Sequence, residues 1–172
     1  MSFRIIENTT AKGLEVLAKR LQAGEFYVKV GVPDAPAVDE HGTASHEVTL
    51  SDTATWLEFG TQRSVAGADG KSSFVEQTPE RPVFRNGIKN NIGELQRLGK
   101  VSLILIAQGQ AAISQQLGLM GALAAGRIKQ EFGSSELAPN APSTVVKKGS
   151  SKPGIDTAQT KNAVTWEVIG RD

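Results

Sequence analysis

Hydrophobic positions recur at helical spacing in some stretches of this chain and alternate in others. Leu14, Leu17, Ala18 and Leu21 fall three or four residues apart, which predicts a helix with one buried face. Thr9 and Thr10 are N-cap candidates, because a hydroxyl can accept from an orphan backbone N–H, and Gly24 is a stop signal. Glu15 and Lys19 form a favourable i,i+4 pair on that helix. Phe26, Val28 and Val30 then alternate with Tyr27, Lys29 and Gly31, the period of a half-buried strand, which Pro33 ends. Residues 3–6 read as another short strand. Val164, Trp166 and Val168 alternate with Thr165 and Glu167 and predict a closing strand.

The middle of the chain mixes both periods. Residues 33–45 and 61–80 are polar and rich in turn formers, and read as loops. Residues 46–59 carry two signals: Val48 and Leu50 suit a strand, while Ala54, Trp56, Leu57 and Phe59 after Asp52 suit a helix. A helix from about residue 51, stopped by Gly60, is the favoured reading. Pro82 is costly inside a helix and marks the entry to a long one over about 84–108. Ile88, Ile92, Leu95, Leu98, Val101, Leu103 and Ile106 supply its apolar stripe. A second helix over about 110–132 carries Ile113, Leu117, Leu119, Leu123, Ile128 and Phe132. Gly109 separates the two, which predicts an antiparallel helix hairpin. Gly118, Gly121 and Gly126 each weaken the second helix by up to about 1 kcal/mol relative to Ala. They permit close packing or mark a bend. No internal repeat is visible.

Residues 133–154 form a Pro-, Gly- and Ser-rich arm. It leads into Ile155-Asp156-Thr157, a short polar helical turn and the closing strand, which together make up residues 155–172. Pro139, Pro142 and Pro153 favour an extended path. Long structureless arms are uncommon in small domains and are usually functional. This one reads as a segment that reaches for a neighbour. The fold expected is α+β, a single domain over residues 1–172. A small, mostly antiparallel sheet from strands near 26–32 and 163–169, joined by 3–6, packs against the N-terminal helix and the helix hairpin. Extended loops and the C-terminal arm complete it.

Composition narrows the chemistry. At 172 residues with 39% apolar and 5% aromatic content, a core can form, but much of the chain is loop or interface. The net charge of +1 creates no global basic field for nucleic acid. Cysteine is absent, which excludes disulfides and thiolate metal sites and suits a reducing cytosol or a virion. The N-terminal residues have no long apolar run, so no signal peptide is expected. No stretch approaches the roughly 20 apolar residues of a membrane span, so no membrane partner is expected.

Candidate chemistry is sparse. His41 and His46 lie near Asp39 and Glu40, but the spacing fits no zinc or calcium pattern and reads as surface loop. There is no G-x-S-x-G elbow, and Gly118 to Gly126 lie in an apolar helical pattern rather than a phosphate loop. No catalytic residue, cofactor or metal is therefore expected. Glu58 and Asp156 are the acids in the two best motifs. A glycosidase-like reaction needs two such acids in one cleft; the favoured reading has Asp156 capping a short helix. Trp166 reads as a core or interface anchor rather than a substrate platform. Lys147, Lys148 and Lys152 are candidates for contacts with DNA phosphates or a partner, and are equally ordinary solubilising residues. Ring assembly would multiply them into a charged annulus.

The string N-x-P-S-T-x-x-x-K-G-S-x-K-P-x-I-D-T-x-x-x-x-N-A-V-T, from Asn140 to Thr165, resembles the C-terminal signature of bacteriophage head–tail joining proteins. These are the neck, collar or tail-completion proteins of long-tailed phages. Trp56-Leu57-Glu58-Phe59-Gly60-Thr61 is similar to the family's EFGT segment, and Arg81-Pro82-Val83-Phe84-Arg85 to its RPFLRP segment. Together these cover most of residues 47–168. The family usually has Leu, Gly and Leu where this chain has Gly154, Ala158 and Thr160, which alters the Asp-Thr-Gly turn.

The resemblance implies a structural virion protein of the neck or tail, present in the host cytoplasm during assembly. It implies a homo-oligomeric ring of about six or twelve copies, around a lumen through which DNA passes without sequence-specific contacts. Portal-side connector proteins lie on one side and tail terminator, tube or sheath proteins on the other. Trp56, Phe59, Arg81, Phe84, Arg85, Asp156, Thr157 and Trp166 are then packing or subunit-interface residues. One alternative is a tail terminator or other tail protein. Another, from a different class, is a small hydrolase using Glu58 or Asp156.

Overall fold

In a computed structural model, the described residues are 26–38, 44–66, 73–149, 151 and 158–170, together with Glu15, Ala18 and Lys19, which are helical. The expected strand at 3–6 and most of the N-terminal helix lie outside them. The elements are β1 (Tyr27–Gly31), β2 (Pro36–Val38), β3 (Ala44–Thr49), α1 (Leu50–Phe59), β4 (Thr61–Ala66), β5 (Ser73–Thr78), α2 (Val83–Lys89), α3 (Ile92–Ala107), α4 (Ile113–Glu131), α5 (Pro142–Lys148), α6 (Gln159–Ala163) and β6 (Thr165–Ile169). The class is α+β, as expected. Two compact units emerge: residues 1–30, 92–124 and 166–172 form the first, and residues 31–91 and 125–165 the second.

In the first unit, β1 and β6 are hydrogen-bonded neighbours, the pair expected from their alternating residues. Helices α3 and α4 run antiparallel. Ser102 Oγ donates to Gln116 Oε1 at 2.9 Å, and a Cβ at Gly99 would sit 3.7 Å from Met120, so residue numbers rise on one helix as they fall on the other. The turn between them uses Gly109 at φ +71°, a left-handed conformation that glycine adopts without steric cost. Gly121 is the close-packing glycine. A Cβ there would lie 2.7 Å from Val28 and 2.9 Å from Trp166, so only a bare backbone fits beneath these strand residues. At Gly126 nothing lies within 4 Å, so that glycine serves no such approach.

In the second unit both signals in residues 46–59 are realised in succession. Strand β3 ends at Thr49, which caps α1: its Oγ1 accepts from the Asp52 backbone N–H, while the Asp52 carboxylate accepts from the Thr49 backbone N–H. This reciprocal box satisfies orphan donors at the helix start. Gly60 stops the helix at φ +71°, where a Cβ would meet the Thr78 carbonyl at 2.5 Å. The core gathers Ala54, Val83, Ile128, Phe132, Leu137 and Val164. The Phe84 and Phe132 rings meet edge to face at 6.5 Å.

Four expectations need correction. The stretches read as loops hold antiparallel hairpins. Strand β2 pairs with β3 through an irregular register, and β4 pairs with β5 from Thr61 opposite Thr78 to Ala66 opposite Ser73. Their polar sequences lack an apolar face, and the pairing is carried by backbone bonds that periodicity does not report. The long helix expected over 84–108 is broken at Asn90-Asn91, where Asn91 Nδ2 donates to the Gly87 carbonyl at 2.9 Å. Such side-chain bonding competes with the helical ladder. The arm is not extended throughout, because Pro142–Lys148 is helical, with Pro142 in its first turn and Gly149 closing it at φ +64°. Proline at the start and glycine past the end is a helix signature.

Candidate functional site

The segments singled out in the sequence meet in the second unit. Glu58, in the last turn of α1, is only 5% exposed although it is a carboxylate. Its Oε2 accepts from the Phe84 backbone N–H at 2.9 Å. Its Oε1 accepts from the Arg85 backbone N–H at 3.1 Å and from Arg85 Nε at 2.9 Å. The reason for this arrangement is local. Helix α2 begins after Pro82, which provides no side-chain cap, and the first N–H groups of a helix need acceptors. A carboxylate from another helix fills that need and also complements the positive helix end.

Arg85 closes the junction from the other side. Its Nη2 donates to the Glu58 backbone carbonyl at 3.0 Å and to Glu80 Oε2 at 2.9 Å, and its guanidinium lies 5.5 Å from the centre of the Phe59 ring. The bonds to Glu80 and Glu58 raise its pKa above the ordinary arginine value. Arg81 ties in the arm. Its backbone N–H donates to the Leu57 carbonyl at 2.7 Å. Its buried guanidinium donates from Nε to Ala138 O at 2.8 Å and from Nη2 to Pro139 O at 3.0 Å. Burial lowers its pKa, though arginine remains cationic at neutral pH. Helix α6 packs against α1 in the same unit.

Thus the Trp56–Thr61, Arg81–Arg85 and arm-root segments are bonded to one another. Both Glu58 oxygens are engaged in holding α2 and Arg85, an arrangement that fixes geometry rather than presenting a base to a substrate. The aromatic residues fall in different settings. Phe84 is half-buried against Phe132, whereas Trp56 and Phe59 project from α1, Phe59 being 67% exposed. In the first unit Trp166 covers Gly118 and Gly121 yet stays 40% exposed. Lys152, Asp156 and Thr157 lie outside the described residues, as do His41 and the side chains of His46, Lys147 and Lys148. Lys147 and Lys148 occupy the last turn of α5. Sequence reasoning did not single out Val146 on α5, which is 84% exposed; its place in a Pro-started, Gly-ended helical turn was the available signal.

Among the described residues, no group of three His, Cys, Asp or Glu side chains is placed to hold a metal ion, and no helix is long and apolar enough to cross a membrane. The chain matches no protein-family model, no curated protein and no solved structure.

Proposed function

We propose that this chain is a structural virion protein that assembles as a homo-oligomeric ring at the head–tail junction of a tailed bacteriophage, joining connector to tail around the DNA channel. The observation that carries the proposal is the junction itself. The Trp56–Thr61 and Arg81–Arg85 segments, which resemble the head–tail joining family, are bonded through Glu58 and Arg85; Arg81 holds Ala138 and Pro139, directly before the third such segment, and α6, within that segment, packs against α1. Shared placement of separate motifs is what a common fold requires of them. The engagement of Glu58 in three bonds supports a structural role for the acid that the hydrolase alternative would need.

The surface supports assembly as well. Trp56, Phe59 and Val146 in the second unit, and Val101, Leu103 and Ile104 on α3 in the first, leave large apolar side chains in solvent. Covering such side chains between copies would remove them from water, and a closed ring is one symmetric way to do so. Light scattering on the purified protein, with negative-stain microscopy, tests the proposal. A closed ring is the expected result. A monomer at every concentration, or a hydrolytic activity abolished by Asp156→Asn, would overturn it.

A further inference from the structure

One stretch of helix α3 carries its polarity inside out. Ser102 is 3% exposed, while its neighbours Val101, Leu103 and Ile104 are 53%, 50% and 56% exposed. The buried hydroxyl donates to Gln116 Oε1 across the hairpin, and buried polar groups stay where they find partners. Turning α3 to hide the three aliphatic side chains would break that bond. The hairpin therefore holds them outward in the first unit.

Two cations border them. Arg97 and Lys100 are both exposed. Arg97 lies four residues before Val101, and Lys100 lies three before Leu103 and four before Ile104, spacings that make side chains neighbours on a helix. Neither cation has an ion pair or a hydrogen bond among the described residues. Residues 95–124 contain no acid. The one acid of α3, Glu94, sits in its first turn and is engaged, but not with Arg97 or Lys100. The face is thus apolar at its centre, basic along its N-terminal edge, and without a counter-charge of its own.

We infer that the outer face of α3 docks an amphipathic helix of another protein, one whose apolar stripe is edged by aspartate or glutamate. From Arg97 to Ile104 the face spans about 10 Å, two turns of a helix. That is the footprint of a partner helix, well short of the about 800 Å² per side that a standard domain interface buries. Helix α1 of a second copy offers no free acidic edge. Glu58 and Glu80 beside Phe59 are matched by Arg85, and Asp52 is bonded into the Thr49 cap. A membrane-surface helix presents a broader basic face with Trp or Phe beside it, and duplex DNA would set phosphates against three aliphatic side chains. The inference refines the assembly reading at α3, where the covering partner is a different protein, and it does not require that the chain close a ring.

The test uses a labelled synthetic peptide of roughly 18 residues, long enough to hold a helix, with leucines at helical spacing edged by glutamates. A second peptide carries lysine in place of each glutamate. Fluorescence anisotropy follows both with the purified chain, whose monomer and ring fractions are separated beforehand. The expected result is saturable binding of the glutamate peptide, weakened by salt, and none of the lysine peptide. Arg97→Glu with Lys100→Glu should weaken binding about tenfold. Val101→Ser with Ile104→Ser should weaken it several-fold, and far-ultraviolet circular dichroism checks that both variants keep their helices. Absence of binding, equal binding of the two peptides, or binding that neither variant changes would overturn the inference. Peptide bound by monomer but excluded from rings would mean that another copy covers α3, which overturns it and leaves the ring reading standing. Binding of phosphatidylserine vesicles, but not of the glutamate peptide, lost in the same variants would assign the face to a membrane and also overturn it.

Discussion

In the second unit, Glu58 and Arg81 join separate segments through charged hydrogen bonds to backbone, whereas in the first unit Gly121 lets a helix lie against Val28 and Trp166 through carbon contacts. The first device is directional. It specifies which backbone groups meet, and it reaches across 57 residues of sequence from Arg81 to Ala138. The second is steric. It sets how closely two surfaces approach without naming a partner atom. A junction that must hold an arm and a helix end in fixed orientation is better served by the first, because hydrogen bonds weaken steeply when misaligned.

Removing the Glu58 carboxylate is the most severe test of that contrast. Glu58→Ala leaves the Phe84 and Arg85 N–H groups and one face of Arg85 without an acceptor, and should lower stability by about 3 kcal/mol. Glu58→Gln keeps acceptor oxygen but loses the charge and should fall between. Chemical denaturation compares the three. A Glu58→Ala protein as stable as the parent would show that the junction contributes no net stability.

Crowding the steric contact comes next. Gly121→Val should cost about 2 kcal/mol, since its Cβ has to displace Val28 and Trp166. Gly126→Ala, with open space around it, should instead stabilise α4 by about 0.5–1 kcal/mol. Opposite signs in thermal melts would separate the two glycines, and equal signs would refute the assignment of Gly121 as the contact glycine.

Arg81→Met keeps the apolar stem and removes the donors to Ala138 and Pro139. The half-exposed carbonyls can turn to water, so the expected loss is about 1 kcal/mol. Hydrogen exchange should rise in residues 138–149 more than in α2. Uniform exchange across both would mean that Arg81 does not tether the arm.

The smallest effect is set by pH. Hydrogen bonds from the Thr49 backbone, then from its hydroxyl, hold Asp52 below the ordinary value of 3.8. A carboxyl lowered on folding adds stability that is present above that value and is lost as pH falls through the lower, folded one. Asp52→Asn should therefore flatten the acid limb of the stability profile and change little at neutral pH. An unchanged acid limb would sever Asp52 from that behaviour.

Among the described residues, β1, β6 and α4 were legible from the chain and appear where Val28, Trp166 and Ile113 to Ile128 place them. The hairpins β2–β3 and β4–β5 were not, because Thr, Gln and Ser dominate β4 and the strand pairing is a backbone property. The break at Asn90-Asn91 was hidden for a related reason. An apolar stripe continues across it, and the interruption comes from a side-chain bond to Gly87.

The candidate site divides the same way. Glu58, Arg81, Phe84 and Arg85 could be singled out from short motifs, and Val146 from the Pro–Gly bracket around its helix. Their partners could not. By itself the sequence determined the element types with strong periodicity, the absence of thiol chemistry and the identity of the motif residues, since these depend on neighbours along the chain. Only the tertiary structure decided that Glu58 caps α2, that Arg81 holds the arm root and that Gly121, not Gly126, admits a strand. Those outcomes depend on atoms brought together across tens of residues, and local pattern carries no record of which distant backbone group will face a given side chain.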